Sequence, residues 1–62
     1  MEKLTLDEIE TLCFAIEGGL ATSTPDFIQE IIDTSLDKKT IRHISLKTRL
    51  ENIKSRLEQR GK

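Results

Sequence analysis

Leu46, Leu50, Ile53 and Leu57 recur at alternating four- and three-residue steps, the spacing that lines one face of a helix for packing against another. The residues beside that seam restrict what the other helix can be. With Leu50 and Leu57 at a and Leu46 and Ile53 at d, the e and g positions are Lys47, Arg49, Lys54 and Arg56, all basic. Two copies of this helix laid side by side would oppose like charges in either orientation, because e and g residues choose partners by charge. Two heptads are also fewer than the three or four that support an independent coiled coil. The seam therefore predicts a chain in which a basic helix packs on acidic ones.

The rest of the chain supplies the acids. Residues 1–37 hold nine acids and one base, a balance of −8, whereas residues 38–62 hold nine bases and two acids, a balance of +7. Asp26, Glu30, Asp33 and Asp37 fall at i, i+4, i+7 and i+11, a continuous stripe on a second helix, and Glu10 and Glu17 lie beside the apolar line of a first. The third helix is expected to pack on the first two, of its own chain or of a neighbour, and its bases to neutralise chiefly Asp26, Glu30, Asp33 and Asp37. Exposed ion pairs are worth about 0–1 kcal/mol each. Charge would thus select the arrangement, while burial of Leu and Ile stabilises it.

Local signals divide the chain into helices at about 5–18, 24–35 and 38–60. Thr5-Leu6-Asp7-Glu8 has capping-box spacing, with Leu4 and Ile9 at the two positions of a hydrophobic staple. Ile9, Leu12, Cys13, Ile16 and Leu20 follow the helical period, and Gly18-Gly19 supplies a left-handed residue to end the helix. Thr24-Pro25-Asp26 reads as a cap, a proline at the first helical position and an acid in the first turn. Phe27, Ile28, Ile31, Ile32 and Leu36 form the apolar side of the second helix. Thr34-Ser35-Leu36-Asp37 marks the break before the third, with Asp37 as its cap and Ile41 and Ile44 beginning an apolar line. No Gly or Pro stands at that break, so one bent helix is the alternative. The fold class is all-α: a small three-helix unit, or a helical hairpin plus a long C-terminal helix.

A chain of 62 residues buries only about 60% of its unfolded surface. Eight Leu, eight Ile, two Phe and no Val, Trp or Tyr make up its core material. Cys13 stands alone, which excludes an intramolecular disulfide and a cysteine-based metal cluster. Self-association is the remaining way to enlarge such a core, so a homo-oligomer is expected. A single thiol and no secretory pattern in the opening residues predict a reducing, cytoplasmic setting. No apolar run approaches the roughly 20 residues that span a bilayer, so no membrane association is expected.

Catalysis lacks its parts. His43 is the only histidine, and its sequence neighbours are bases rather than a carboxylate or thiol. Gly18-Gly19 lacks the spacing of a nucleotide loop, and the acids of the second helix lack the alternation of a calcium loop. Cys13, on the apolar side of its helix, reads as a small buried hydrophobe. No enzyme activity, cofactor, metal or small-molecule substrate is expected.

Leu36-Asp37-Lys38-Lys39-Thr40-Ile41-Arg42-His43-Ile44 resembles the recognition helix of helix-turn-helix repressors, in which a cap and bases precede a Thr-Ile/Val-Arg core. The resemblance covers about nine residues. It departs upstream, where Glu30 and Thr34 stand in place of apolar residues and Ser35 in place of the turn glycine. It implies a nucleic-acid-binding transcriptional regulator using residues 38–60, with Lys38, Lys39, Arg42, Lys47 and Arg49 along phosphates. A second likeness rests on a leucine shortly before Asp7-Glu8, then Asp26-Phe27-Ile28-x-x-Ile31, then Ile41-x-His43-Ile44. It is similar over about 40 residues to the Sda family of helical-hairpin inhibitors of sporulation kinases, and implies inhibition of a larger protein by docking helices. The leading expectation is a small non-enzymatic regulator, inhibitor or adaptor of the kind found among bacterial and phage accessory proteins. It would bind a larger protein through Lys38, Lys39, Arg42, Lys47 and Arg49, and nucleic-acid binding is the alternative.

Overall fold

Thr5 opens the first helix in the computed structural model, which describes residues 3–60. Its hydroxyl accepts the Glu8 amide at 3.2 Å, and Glu8 Oε1 accepts the Thr5 amide at 3.0 Å, closing the capping box. The helix, α1, runs Leu6–Glu17. It ends in a Schellman turn: the Leu20 amide donates to Ala15 O at 2.7 Å and the Gly19 amide to Ile16 O at 3.1 Å. Gly19 has φ +77°, where a side chain would be strained. Leu20 therefore lies past the end of the helix and is 87% exposed, outside the apolar line that its spacing suggests.

Thr24 caps α2, Pro25–Ser35, by accepting the Phe27 amide at 3.2 Å. Ile28, Ile31, Ile32 and Ser35 share its buried face. Ser35 is a polar residue in that stripe, and its Oγ accepts the Leu4 amide at 3.0 Å, tying the segment before α1 to the end of α2. Phe27 sits at the margin of the core, half-exposed.

α2 and α3 are separate helices. The third, α3, spans Ile41–Arg60, beginning three residues later than expected. Thr40, not Asp37, occupies the cap position. Its hydroxyl accepts the His43 amide at 3.2 Å and its carbonyl the Ile44 amide at 3.0 Å, while the Asp37 carboxylate accepts from Lys3 Nζ at 3.3 Å. Leu36 is buried in the core, so the chain must cross the end of the bundle before a new helix can start.

The fold is all-α, and α3 is its common element: it packs on both α1 and α2, which meet each other only marginally. Asp7 lies beside Arg42 and Glu17 beside Arg49, so α1 runs in the direction of α3. Gln29 reaches Lys54 while the short link joins Ser35 to Ile41, so α2 runs the other way. The core is Ile9 and Cys13 of α1, Ile28, Ile31 and Ile32 of α2, Leu36 of the link, and Leu46, Leu50 and Ile53 of α3. Leu57, the last seam residue, is partly buried against it. Ile41 and Ile44 are 89% and 52% exposed, so they do not begin an apolar line. In the register of the seam they occupy f and b, away from both neighbouring helices.

Leu50 is fully buried at the centre of this arrangement. Leu50→Ala should cost about 2–5 kcal/mol, a large share of the roughly 3–9 kcal/mol that a domain of this length holds. Urea unfolding followed by far-ultraviolet circular dichroism should show the midpoint fall sharply or the native baseline disappear.

Candidate functional site

The five bases singled out in the sequence divide into two sets. Arg42 and Arg49 point toward α1. Arg42 Nη2 lies 2.5 Å from Asp7 Oδ1 and 3.9 Å from Glu10 Oε2. Arg49 Nη2 lies 2.6 Å from Glu17 Oε1, and its guanidinium stands 5.0 Å from the centroid of the half-exposed Phe14 ring, a cation–π geometry. Both guanidinia are held even more firmly protonated by these carboxylate hydrogen bonds. Lys38 and Lys39, in the link at 36–40, and Lys47 on α3 are exposed and make no ion pair among the described residues.

The neutralisation of α3 thus comes from Asp7, Glu10 and Glu17 of α1, not from the α2 stripe. The reason is rotational. Asp26, Glu30 and Asp33 lie on the face of α2 opposite Ile28, Ile31, Ile32 and Ser35, so burying the apolar face turns the acids away from α3. Asp37 has left the helix and pairs with Lys3. Lys54, which does face α2, donates to the neutral Gln29 at 2.9 Å and lies 3.9 Å from Glu58 of its own helix.

Two surfaces of α3 stand out. At the start of α3, Ile41 and Ile44 stand next to Lys38, Lys39 and Lys47, an apolar and basic face that the fold leaves uncovered. These isoleucines are the residues that an apolar-line reading misplaces; the seam register, which sets them at f and b, carried the signal. At the other end of α3 an open groove of about 130 Å³ is lined by Ile16, Glu17, Ile53, Arg56, Leu57 and Arg60. Cys13 is fully buried and burial pushes its thiol up, away from nucleophilic reactivity. Among the described residues no cluster of His, Cys, Asp or Glu is arranged to hold a metal ion. No helix among them is long and apolar enough to cross a membrane.

No protein-family model, curated protein or solved structure matches the chain.

Two measurements test the charge map. Arg49→Glu removes the Glu17 pair and the Phe14 contact and sets a third carboxylate beside Glu10 and Glu17. It should lower stability by about 1–2 kcal/mol, whereas Lys47→Glu should change it by less than about 0.5 kcal/mol in the same urea titration. For pH, the Thr5 amide and hydroxyl lower Glu8 from its ordinary 4.5, and Lys3 lowers Asp37 from 3.8. A carboxylate lowered on folding stabilises the native state above its unfolded value, and the gain is lost as pH falls through the folded value. Stability should therefore decline as pH drops below about 4.5, and Lys3→Ala should make that decline shallower by removing the main cause of the Asp37 shift.

Proposed function

We propose that the chain is a small non-enzymatic regulator, inhibitor or adaptor that binds a larger protein in the cytoplasm through the start of α3. The observation that carries this reading is the exposure of Ile41 and Ile44, 89% and 52%, next to lysines that make no ion pair among the described residues. An isoleucine on the outward face of a helix contributes nothing to the core, and two of them a turn apart make an apolar contact area. Lys38, Lys39 and Lys47 then favour a partner whose apolar pocket has an acidic rim. The cytoplasmic setting is supported by the lone, buried Cys13. As support for a non-catalytic role, the ring of His43 makes its side-chain hydrogen bond to the Thr40 hydroxyl rather than to a carboxylate or thiol.

The nucleic-acid reading keeps three of its five bases. Lys38, Lys39 and Lys47 are available to phosphates, but Arg42 and Arg49 are engaged with Asp7, Glu10 and Glu17. The recognition-helix likeness would also place Ile41 in a packed position, and it is exposed.

Affinity capture from host lysate should compare the wild type with an Ile41→Asp/Ile44→Asp variant, which is expected to fold because both sites face solvent. A protein retained by the wild type and lost with the variant supports the proposal. Equal retention of every captured protein by both would sink it. Fluorescence anisotropy with a duplex DNA and a single-stranded RNA at low salt completes the test. Binding with a steep salt dependence would move the assignment to nucleic acid.

A further inference from the structure

The α1–α3 interface stops before its pattern does. Arg42, Arg49 and Arg56 recur at seven-residue intervals on the flank of α3 nearest α1. The first two meet Asp7 and Glu17. α1 has 12 residues and α3 has 20, and the turn at Gly18-Gly19 ends α1 before it can supply an acid for the third. The apolar seam runs on as well: Ile53 and Leu57, with Ile16, floor the open groove of about 130 Å³. That volume is close to the roughly 150 Å³ of an engineered apolar cavity large enough to take a small aromatic ring. Arg56 and Arg60 rim the groove, and neither has a carboxylate within ion-pair distance among the described residues.

The converse surface lies on α2. Asp26, Glu30 and Asp33 are exposed and unpaired with any base among the described residues, and Phe27, 37% exposed, sits beside them. We infer that these two surfaces meet between copies: the chain dimerises by seating Phe27 of one copy in the Ile16–Ile53–Leu57 groove of a second. Asp26 and Glu30 then lie opposite Arg56 and Arg60.

Three features favour a second copy as the occupant. The acids and the bases share the same i, i+4 spacing, so one turn of helix matches one turn. Gln29 touches Lys54, which puts groove and stripe at the same end of the molecule, where a two-fold axis can pair each with the other reciprocally. Two overhanging ends of α3 cannot cover one another, because arginines would face arginines. An interface of about 800 Å² per partner would use less than a fifth of the 4488 Å² surface. With one aromatic anchor and exposed ion pairs, the dissociation constant should be on the order of 100 μM.

Sedimentation equilibrium of the full chain from about 20 μM to about 1 mM, roughly one-fifth to ten times that constant, tests this directly. The weight-average mass should climb from 7.1 kDa toward twice that value, and added salt should weaken the association. Arg56→Glu/Arg60→Glu and Asp26→Arg/Glu30→Arg should each stay monomeric while retaining the helical circular dichroism spectrum, and an equimolar mixture of the two should associate again. If the double change on α2 unfolds the chain, Glu30→Arg alone carries the same test against Arg60→Glu. A wild type that remains monomeric at 1 mM would overturn the inference. So would reversed variants that dimerise as the wild type does, folded partners that fail to associate on mixing, or a mass that rises past the dimer without a plateau.

Discussion

Burial of Leu46, Leu50 and Ile53 between two flanking helices is the interaction on which everything else depends. α1 and α2 barely touch, so neither could hold the other in place if the seam of α3 were absent. Each helix is also short. At 12 and 11 residues, α1 and α2 fall at or below the length at which an isolated helix is marginal in water, about 12–15 residues. Their stability must come from the apolar faces that α3 covers. The caps at Thr5 and Thr24 add about 1 kcal/mol each, enough to define where the helices start but not to hold them alone. Ser35 shows how tightly the pieces are coupled: a hydroxyl inside the apolar stripe of α2 is tolerated because it accepts the amide of Leu4, which would otherwise lack a partner at a partly buried position.

The ion pairs act on this frame as selectors. Side by side, a helix with basic flanks could be approached by either acidic helix, and the choice is made by which acids flank an apolar face. Glu10 and Glu17 lie at the edge of the buried face of α1, within reach of Arg42 and Arg49. The α2 acids lie directly behind its buried face and reach no base among the described residues; Asp33 accepts only from the neutral Gln29 at 2.9 Å. The charge asymmetry between the halves of the chain is therefore only partly cancelled internally. What remains is a basic set at both ends of α3 and an acidic set on the back of α2, and the surface chemistry follows from that remainder.

Much of this was legible in the residues because it rests on local chemistry. The capping box, the Thr24-Pro25 start, the glycine stop and the four-residue seam each depend on neighbours within a turn or two, and each appears where its spacing puts it. The start of α3 was not legible, because Asp37 and Thr40 are both good caps. The choice between them is tertiary: Leu36 is buried in the core and Asp37 pairs with Lys3, and the chain stays out of helix until Thr40. Leu20 fits a helical period but follows a glycine at positive φ, and a period cannot show where the helix has already ended. The pairing of Arg42 and Arg49 was within reach, since Glu10 and Glu17 were visible beside the apolar line of α1. The α2 stripe is continuous, and its continuity on one face is what places it opposite the core.

The two uncovered surfaces of α3 are far apart. From Ile41 to Leu57 is 16 helical steps, about 24 Å along the axis, so Ile41 and Ile44 lie at one end of the molecule and the Leu57 groove at the other. A contact between copies through the groove would leave the isoleucine faces free, and a two-fold axis would present them as a pair. Two equivalent docking faces on one rigid particle gain affinity for a dimeric or repeated partner by raising effective concentration, without any new contact. A chain too short to build a large interface of its own can in this way bind more tightly than either face alone. The arrangement would also give a use to the end of α3: Leu57 still packs on the core, but Arg56 and Arg60 around it have no carboxylate within ion-pair distance among the described residues.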